Sequence, residues 1–204
     1  MNIARSVHGG MAALAAVVGW SLLVGCDSGP VEAPTAYGEY NSRDGTFACE
    51  YPESWSADGG GKNGPQWATF ASGTAEIRVD ADLAGSLLGG IAGSFTPDAV
   101  EQSALELEPV HGVHVLGKKA AEAKYSGYTE LDSPQEWKVS LGPSRRSEFT
   151  AASAFGTGLH GYRTTVLGHD KRVVVYCICR EDDWPTLEPA FTHVLGTLKR
   201  GMAE

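Results

Sequence analysis

Cysteine and histidine carry most of the chemistry open to this chain, with four Cys and six His in 204 residues. Cys177 and Cys179 stand two apart in the apolar run 173–179, so on a strand they share a face with Val173 and Val175. Cys49 lies in the alternating segment 46–51, on the face of Phe47 and Tyr51. If His169-Asp170 form a two-residue turn, 168 pairs with 171, which sets His160 opposite Cys179 and Tyr162 opposite Cys177. Two chemistries follow. A disulfide from Cys49 to Cys177 or Cys179 would close a loop of about 130 residues and stabilise by roughly 4–5 kcal/mol. A site of Cys49, Cys177, Cys179 and His160 would suit a metal, although the familiar zinc spacings such as Cys-x2-Cys are missing. The alternative is three reduced thiols packed as small apolar side chains, which the odd number favours. His111 and His114, three apart on one face of an expected helix, have no acid or cysteine at helical spacing within that helix and read as solvated.

Sequence patterns for catalysis are missing. The chain contains no Gly-x-Ser-x-Gly elbow and no phosphate-binding Gly-x4-Gly-Lys-Ser/Thr loop, so no enzyme activity and no cofactor are expected. The run Glu181, Asp182, Asp183 suits the start of a final helix better than a catalytic pair. Arg145, Arg146 and Arg163 fall on expected strands, where cross-strand ion pairs are the ordinary outcome. Arg145 is also the candidate for a basic spot facing an acidic partner.

Cys26 has a different role. Arg5 is followed by an almost uncharged apolar run at 11–25, which ends in Leu23-Val24-Gly25-Cys26. This resembles a bacterial lipoprotein signal, and the resemblance implies removal of 1–25 and acylation (palmitate among the chains) of Cys26 on sulfur and amine. A retained membrane-spanning helix would need roughly 20 apolar residues. Acyl chains supply the membrane affinity, and the domain is expected at the cell membrane, facing periplasm or exterior. Losing 1–25 removes Arg5 and no acid, taking the formal charge from −9 to −10. Such a surface repels phosphate backbones, which argues against a nucleic-acid partner.

Period and punctuation set the elements that must position these groups. Residues 26–43, broken by Ser28, Gly29, Pro30, Pro34 and Gly38, read as a flexible tether. One domain, 44–201, follows. A strand is expected over 46–51, ended by Pro52, then a loop through Gly59-Gly60-Gly61 to Pro65. A hairpin over 66–71 and 74–81 should place Ile77 and Val79 on one face, Arg78 and Asp80 on the other. Asp82 should cap a short glycine-rich helix carrying Leu83, Leu87, Leu88 and Ile91. That apolar segment, with Arg145, is the candidate partner surface. Helices are expected over 98–108 and 109–125, the second with Val113, Leu116, Ala120 and Ala123 inward, and 125–137 is turn-rich. A strand over 145–151, paired strands 159–167 and 172–180, and a helix from Asp183 to a stop at Gly201 complete the chain. The class is α+β, an antiparallel sheet with helices on its faces.

Three pieces together resemble the PsbP-like superfamily: the strand running into Tyr51-Pro52-x-x-Trp55, the hairpin from Gly161-Tyr162-Arg163 through 173–179, and the closing helix 184–198. The likeness covers most of 44–201. That superfamily includes the extrinsic subunit of photosystem II, the Mog family of Ran-binding import factors and many bacterial lipoproteins. It implies an α/β/α sandwich and a binding or assembly module, with no catalytic residues to carry over. The expected function is a lipid-anchored extracytoplasmic module with an envelope protein as partner. The alternative is a small-molecule or metal-binding lipoprotein using the Cys49, Cys177 and Cys179 face.

Overall fold

Apolar side chains alternating with period two build most of this protein. The computed structural model describes residues 31–61, 65–83, 108–168 and 171–203. Along them run β1 (Tyr37–Asn41), β2 (Ala48–Pro52), β3 (Ser56–Gly60), β4 (Gln66–Ser72), β5 (Ala75–Leu83), α1 (Pro109–Lys124), β6 (Ser126–Glu130), β7 (Gln135–Glu136), β8 (Ser144–Ala152), β9 (Gly158–Gly168), β10 (Lys171–Arg180) and α2 (Trp184–Gly196). The main sheet has the order β3-β4-β5-β10-β9-β8-β6, with β7 beside β8 and antiparallel neighbours throughout. β1 and β2 form a separate ribbon.

Each face of the sheet carries its own cluster. On one, Ile77, Val79 and Ala81 of β5 and Val173, Val175, Cys177 and Cys179 of β10 meet Leu187, Phe191, Val194, Leu195 and Leu198, together with Phe47 and Cys49 from the ribbon. On the other, Ala121 of α1 packs with Tyr128, Phe149, Tyr176 and Ile178. Helices on both faces of an antiparallel sheet give the expected α+β sandwich. The β9–β10 hairpin also has the expected register: Gly168 pairs with Lys171, Tyr162 with Cys177 and His160 with Cys179.

Several expectations are corrected. The domain begins before 44. β1 lies inside the supposed tether, where Tyr40 stacks on Phe47 and meets Phe70 edge-on at 5.3 Å, and the domain extends past 201, where Asp44 bridges Ala203. Two tyrosines with partners outweigh the glycine and serine that suggested a linker. Gly59 and Gly60 belong to β3 rather than a loop. A Cβ on Gly59 would collide with the Tyr40 hydroxyl, and one on Gly60 would stand 2.8 Å from the Trp67 indole nitrogen, so these glycines admit close neighbours. Asp82 and Leu83 are strand residues rather than the cap and first turn of a helix. They extend β5 opposite Arg172 and Lys171, and Arg172 binds Asp82 at 2.7 Å. The buried side of α1 is Val110, Val113, His114 and Ala121, while Ala120 and Ala123 are exposed. The turn-rich stretch after it contains β6 and β7. α2 ends at Gly196, because the chain turns back for Lys199 to bridge Ala48. The signal segment with Cys26, the positions Leu87, Leu88 and Ile91, and most of the helix expected over 98–108 lie outside the described residues.

Candidate functional site

Alternation on three strands and one helical stripe bring the charged residues of the α1 face together. Asp80 and Asp82 of β5, Arg172, Val174 and Tyr176 of β10, and Arg163 and Thr165 of β9 all point to that face, since every second residue of a strand does. α1 contributes Val113, Gly117, Ala120 and Lys124, spaced four, three and four apart on one side. The helix packs over β6, β8 and β9, and between it and β5–β10 a cleft of about 300 Å3 remains.

Arg163 forms the floor, 1 % exposed. Its Nη1 donates to the His114 carbonyl at 2.8 Å, its Nε to the Tyr128 hydroxyl at 3.0 Å, and its Nη2 to Glu130 Oε1 at 2.5 Å. Burial alone would lower the Arg163 pKa, but Tyr128 and Glu130 more than offset it and the net shift is upward. A Cβ on Gly117 would stand 3.2 Å from Arg163 Nη1, so the small residue lets α1 lie against the guanidinium. Behind this floor His114 is fully buried, with Nδ1 3.0 Å from Thr165 Oγ1 and Nε2 2.9 Å from Ser147 Oγ. Burial, with Arg163 and then His111, pushes its pKa down to about 2. This corrects the expectation of a solvated His114: two strand hydroxyls satisfy both ring nitrogens, and the neutral ring packs as core. At the rim Lys124 lies over the rings of Tyr176 and Tyr125, its Nζ 4.4 and 5.0 Å from their centroids. Burial there lowers its pKa, and Arg78 adds to the effect.

On the opposite face the cysteines are free and buried. Burial drives the thiols of Cys49 and Cys179 up to about 12 and that of Cys177 well above its usual value, which disfavours the thiolate a metal would need. His160 faces Cys179 across the strands as expected, but its ring stacks on Trp184 at 4.1 Å and its Nε2 sits 2.7 Å from Glu148. Arg146 lies between the rings of Trp137 and Tyr162, 3.7 and 4.0 Å from their centroids. Among the described residues no three His, Cys, Asp or Glu side chains are grouped to hold a metal. Arg145 is 14 % exposed and ion-paired with Glu108, just before α1, leaving little charge for a partner there. A second, open groove of about 680 Å3 lies between Tyr125, Leu159, Ile178 and Arg180, beside Phe155, which is 97 % exposed.

Sequence reasoning singles out Arg163 but not Lys124, Arg172 or Thr165. The available signal is the run of charges at every second position of β5, Glu76, Arg78, Asp80 and Asp82. A strand so polar on one face must look onto solvent or a polar cavity.

No protein-family model matches the chain. No curated protein matches it either. Among solved structures, that of cyanobacterial PsbP (CyanoP) from Synechocystis aligns at TM-score 0.51 and 12 % identity, over 87 % of this chain and 98 % of that one. LpqN of Mycobacterium tuberculosis, described as involved in cell envelope biogenesis, aligns at TM-score 0.45 and 11 % identity, over 85 % of this chain and 90 % of that one. A Pseudomonas aeruginosa protein of unknown function, PA94, aligns at 0.41 and 15 %, over 80 % and 96 %. Only the first is close enough to bear on architecture, and at its identity it bears on fold alone. The domain has a PsbP-like fold.

Proposed function

We propose that this protein is a lipid-anchored, non-enzymatic binding module of the cell envelope, facing away from the cytoplasm. The observation that carries this is Leu23-Val24-Gly25-Cys26 at the end of a short apolar run behind Arg5. Acyl chains on Cys26 hold the chain at the membrane, and the residues between Cys26 and β1 let the sandwich stand off it. The face it presents binds an envelope component, by the expected apolar segment at Leu83, Leu87, Leu88 and Ile91 or by the groove beside Phe155.

Mass spectrometry of the protein extracted from its own membranes tests the anchor. An N-terminus at Cys26 with acyl mass is expected, and a Cys26→Ala chain should leave the acylated form unmade. An unmodified Cys26 in the membrane-extracted protein would end this proposal.

A second function is favoured by a specific observation, the cleft beneath α1: the domain binds a small molecule there. It differs from a site at Cys49, Cys177 and Cys179, whose thiols are packed under the ribbon and α2.

A further inference from the structure

Val31, the first described residue, is partly buried against the larger core cluster. Cys26 stands five residues before it, a reach of at most roughly 18 Å. Acyl chains at Cys26 therefore keep the sandwich within that distance of the bilayer, and strand directions show where the chain enters it. Gly168 and Lys171 of the β9–β10 hairpin share a small cavity with Asp44, Gly45 and Thr46 of the β1–β2 turn, so both turns lie at one end of the sandwich. The start of β1, Tyr37 paired with Pro52, lies at the other, and the chain enters there. The same end carries the β4–β5 turn after Ser72, Arg180 at the close of β10, and the β8–β9 turn.

That last turn is built to hold a side chain outward. Ser153 Oγ accepts from the Phe155 and Thr157 amides at 3.2 and 3.1 Å, the Ser153 amide donates to the Thr157 carbonyl at 2.9 Å, and Gly156 takes a φ of 81°. The Phe155 ring at the tip is 97 % exposed. We propose that this end of the sandwich docks on the bilayer that holds the anchor, with Phe155 entering the boundary between headgroups and acyl chains. This rests on the lipid-anchor reading. One exposed aromatic is too little to hold a free domain on a membrane, but the anchor makes docking intramolecular, at the high effective concentration of a short linker. Glu53, Glu181 and Asp182 are exposed at the same end, so the contact is apolar and its partner is a zwitterionic lipid surface rather than an anionic one. Met202, 80 % exposed, lies at the far end, its backbone bonded to the Asn41 side chain, and stays in water.

The acylated full chain in phosphatidylcholine vesicles tests this, with a nitrobenzoxadiazole fluorophore on Ala154→Cys at the tip or Met202→Cys at the far end, and nitroxide groups on the lipids. Cys49, Cys177 and Cys179 are buried, so the label goes to the new thiol. Quenching of the tip label should exceed that of the far-end label by about twofold or more, since only an inserted tip reaches the nitroxides. Phe155→Ser, a change at an almost fully exposed side chain, should bring quenching of the tip label down to the far-end level. Equal quenching of the two labels, tip quenching that survives Phe155→Ser, or deeper insertion into phosphatidylglycerol vesicles overturns the proposal. Flotation reads the anchor separately. A chain that floats with the vesicles while its tip label stays in water loses the docking and keeps the anchor, whereas a chain that does not float loses both.

Discussion

Among single residues, the buried ionisable groups decide how this protein responds to its surroundings. His114 is the clearest case. Its pKa is about 2 in the folded chain, against an ordinary 6.5, because burial, Arg163 and His111 all oppose a charged ring. The unfolded chain takes up the proton first, so the stability from a neutral His114 is complete above pH 6.5 and falls as the pH drops toward 2. The slope is about 1.4 kcal/mol per pH unit. Urea unfolding at about pH 6.5 and about pH 5.5 should therefore show a loss of roughly 1 kcal/mol. His114→Gln, less stable overall for its altered hydrogen bonds to Ser147 and Thr165, should show a flatter dependence. Equal slopes in the two proteins would mean that His114 does not titrate as its burial requires. The helical position of this histidine is legible in the sequence, but its partners are not: Ser147 and Thr165 lie 33 and 51 residues away.

Among the secondary-structure elements, the hairpin β9–β10 is readable because everything it needs is local. Two alternating runs flank Gly168-His169-Asp170-Lys171, and the turn alone sets the register that pairs His160 with Cys179. β1, β3 and β6 are harder to read, since each is short and owes its place to partners elsewhere. Glycine shows the contrast between positions. Gly161 lies in the middle of β9, where a Cβ would press on the Cys177 carbonyl and stand 3.0 Å from the Phe149 ring. Gly161→Ala should cost about 1–3 kcal/mol. Gly196, at the end of α2, has nothing within 4 Å of the place an added methyl would take, and Gly196→Ala should be neutral or stabilise by up to about 1 kcal/mol. Thermal melts of the two variants check both signs at once, and a tolerated Gly161→Ala would mean that β9 and β10 can part more easily than their register implies.

For the molecule as a whole, the β1–β2 ribbon closes the larger core and joins both ends of the domain. Tyr40 packs on Phe47 and Phe70, Tyr37 lies 3.9 Å from His193, Lys199 pairs with Glu39, and the Asn41 side chain binds Met202. A chain beginning at 44 should consequently be less stable than one beginning at 31, by about 2–4 kcal/mol if the two tyrosines count as large core contacts. Urea denaturation of the two chains measures the difference. Equal midpoints would restore 44 as the start of the domain and leave β1 an ornament on it.

The α+β class, the β9–β10 register, the apolar stripe of α2 and the expectation of an acylated Cys26 all come from the order of amino acids without further help. Each follows from periodicity or punctuation within a few residues, which local sterics and side-chain alternation convert directly into structure. What faces what across the sandwich is settled by packing between distant elements instead. Arg163 meets Glu130 from 33 residues away and Arg172 meets Asp82 from 90, and the spacing within either strand reveals neither partner. The cysteines can be placed on one face from sequence, but whether that face is a site or a core depends on the ribbon and α2 that cover it. The cleft beneath α1 arises where the helix leaves part of the sheet uncovered, a gap that no short stretch of the chain encodes.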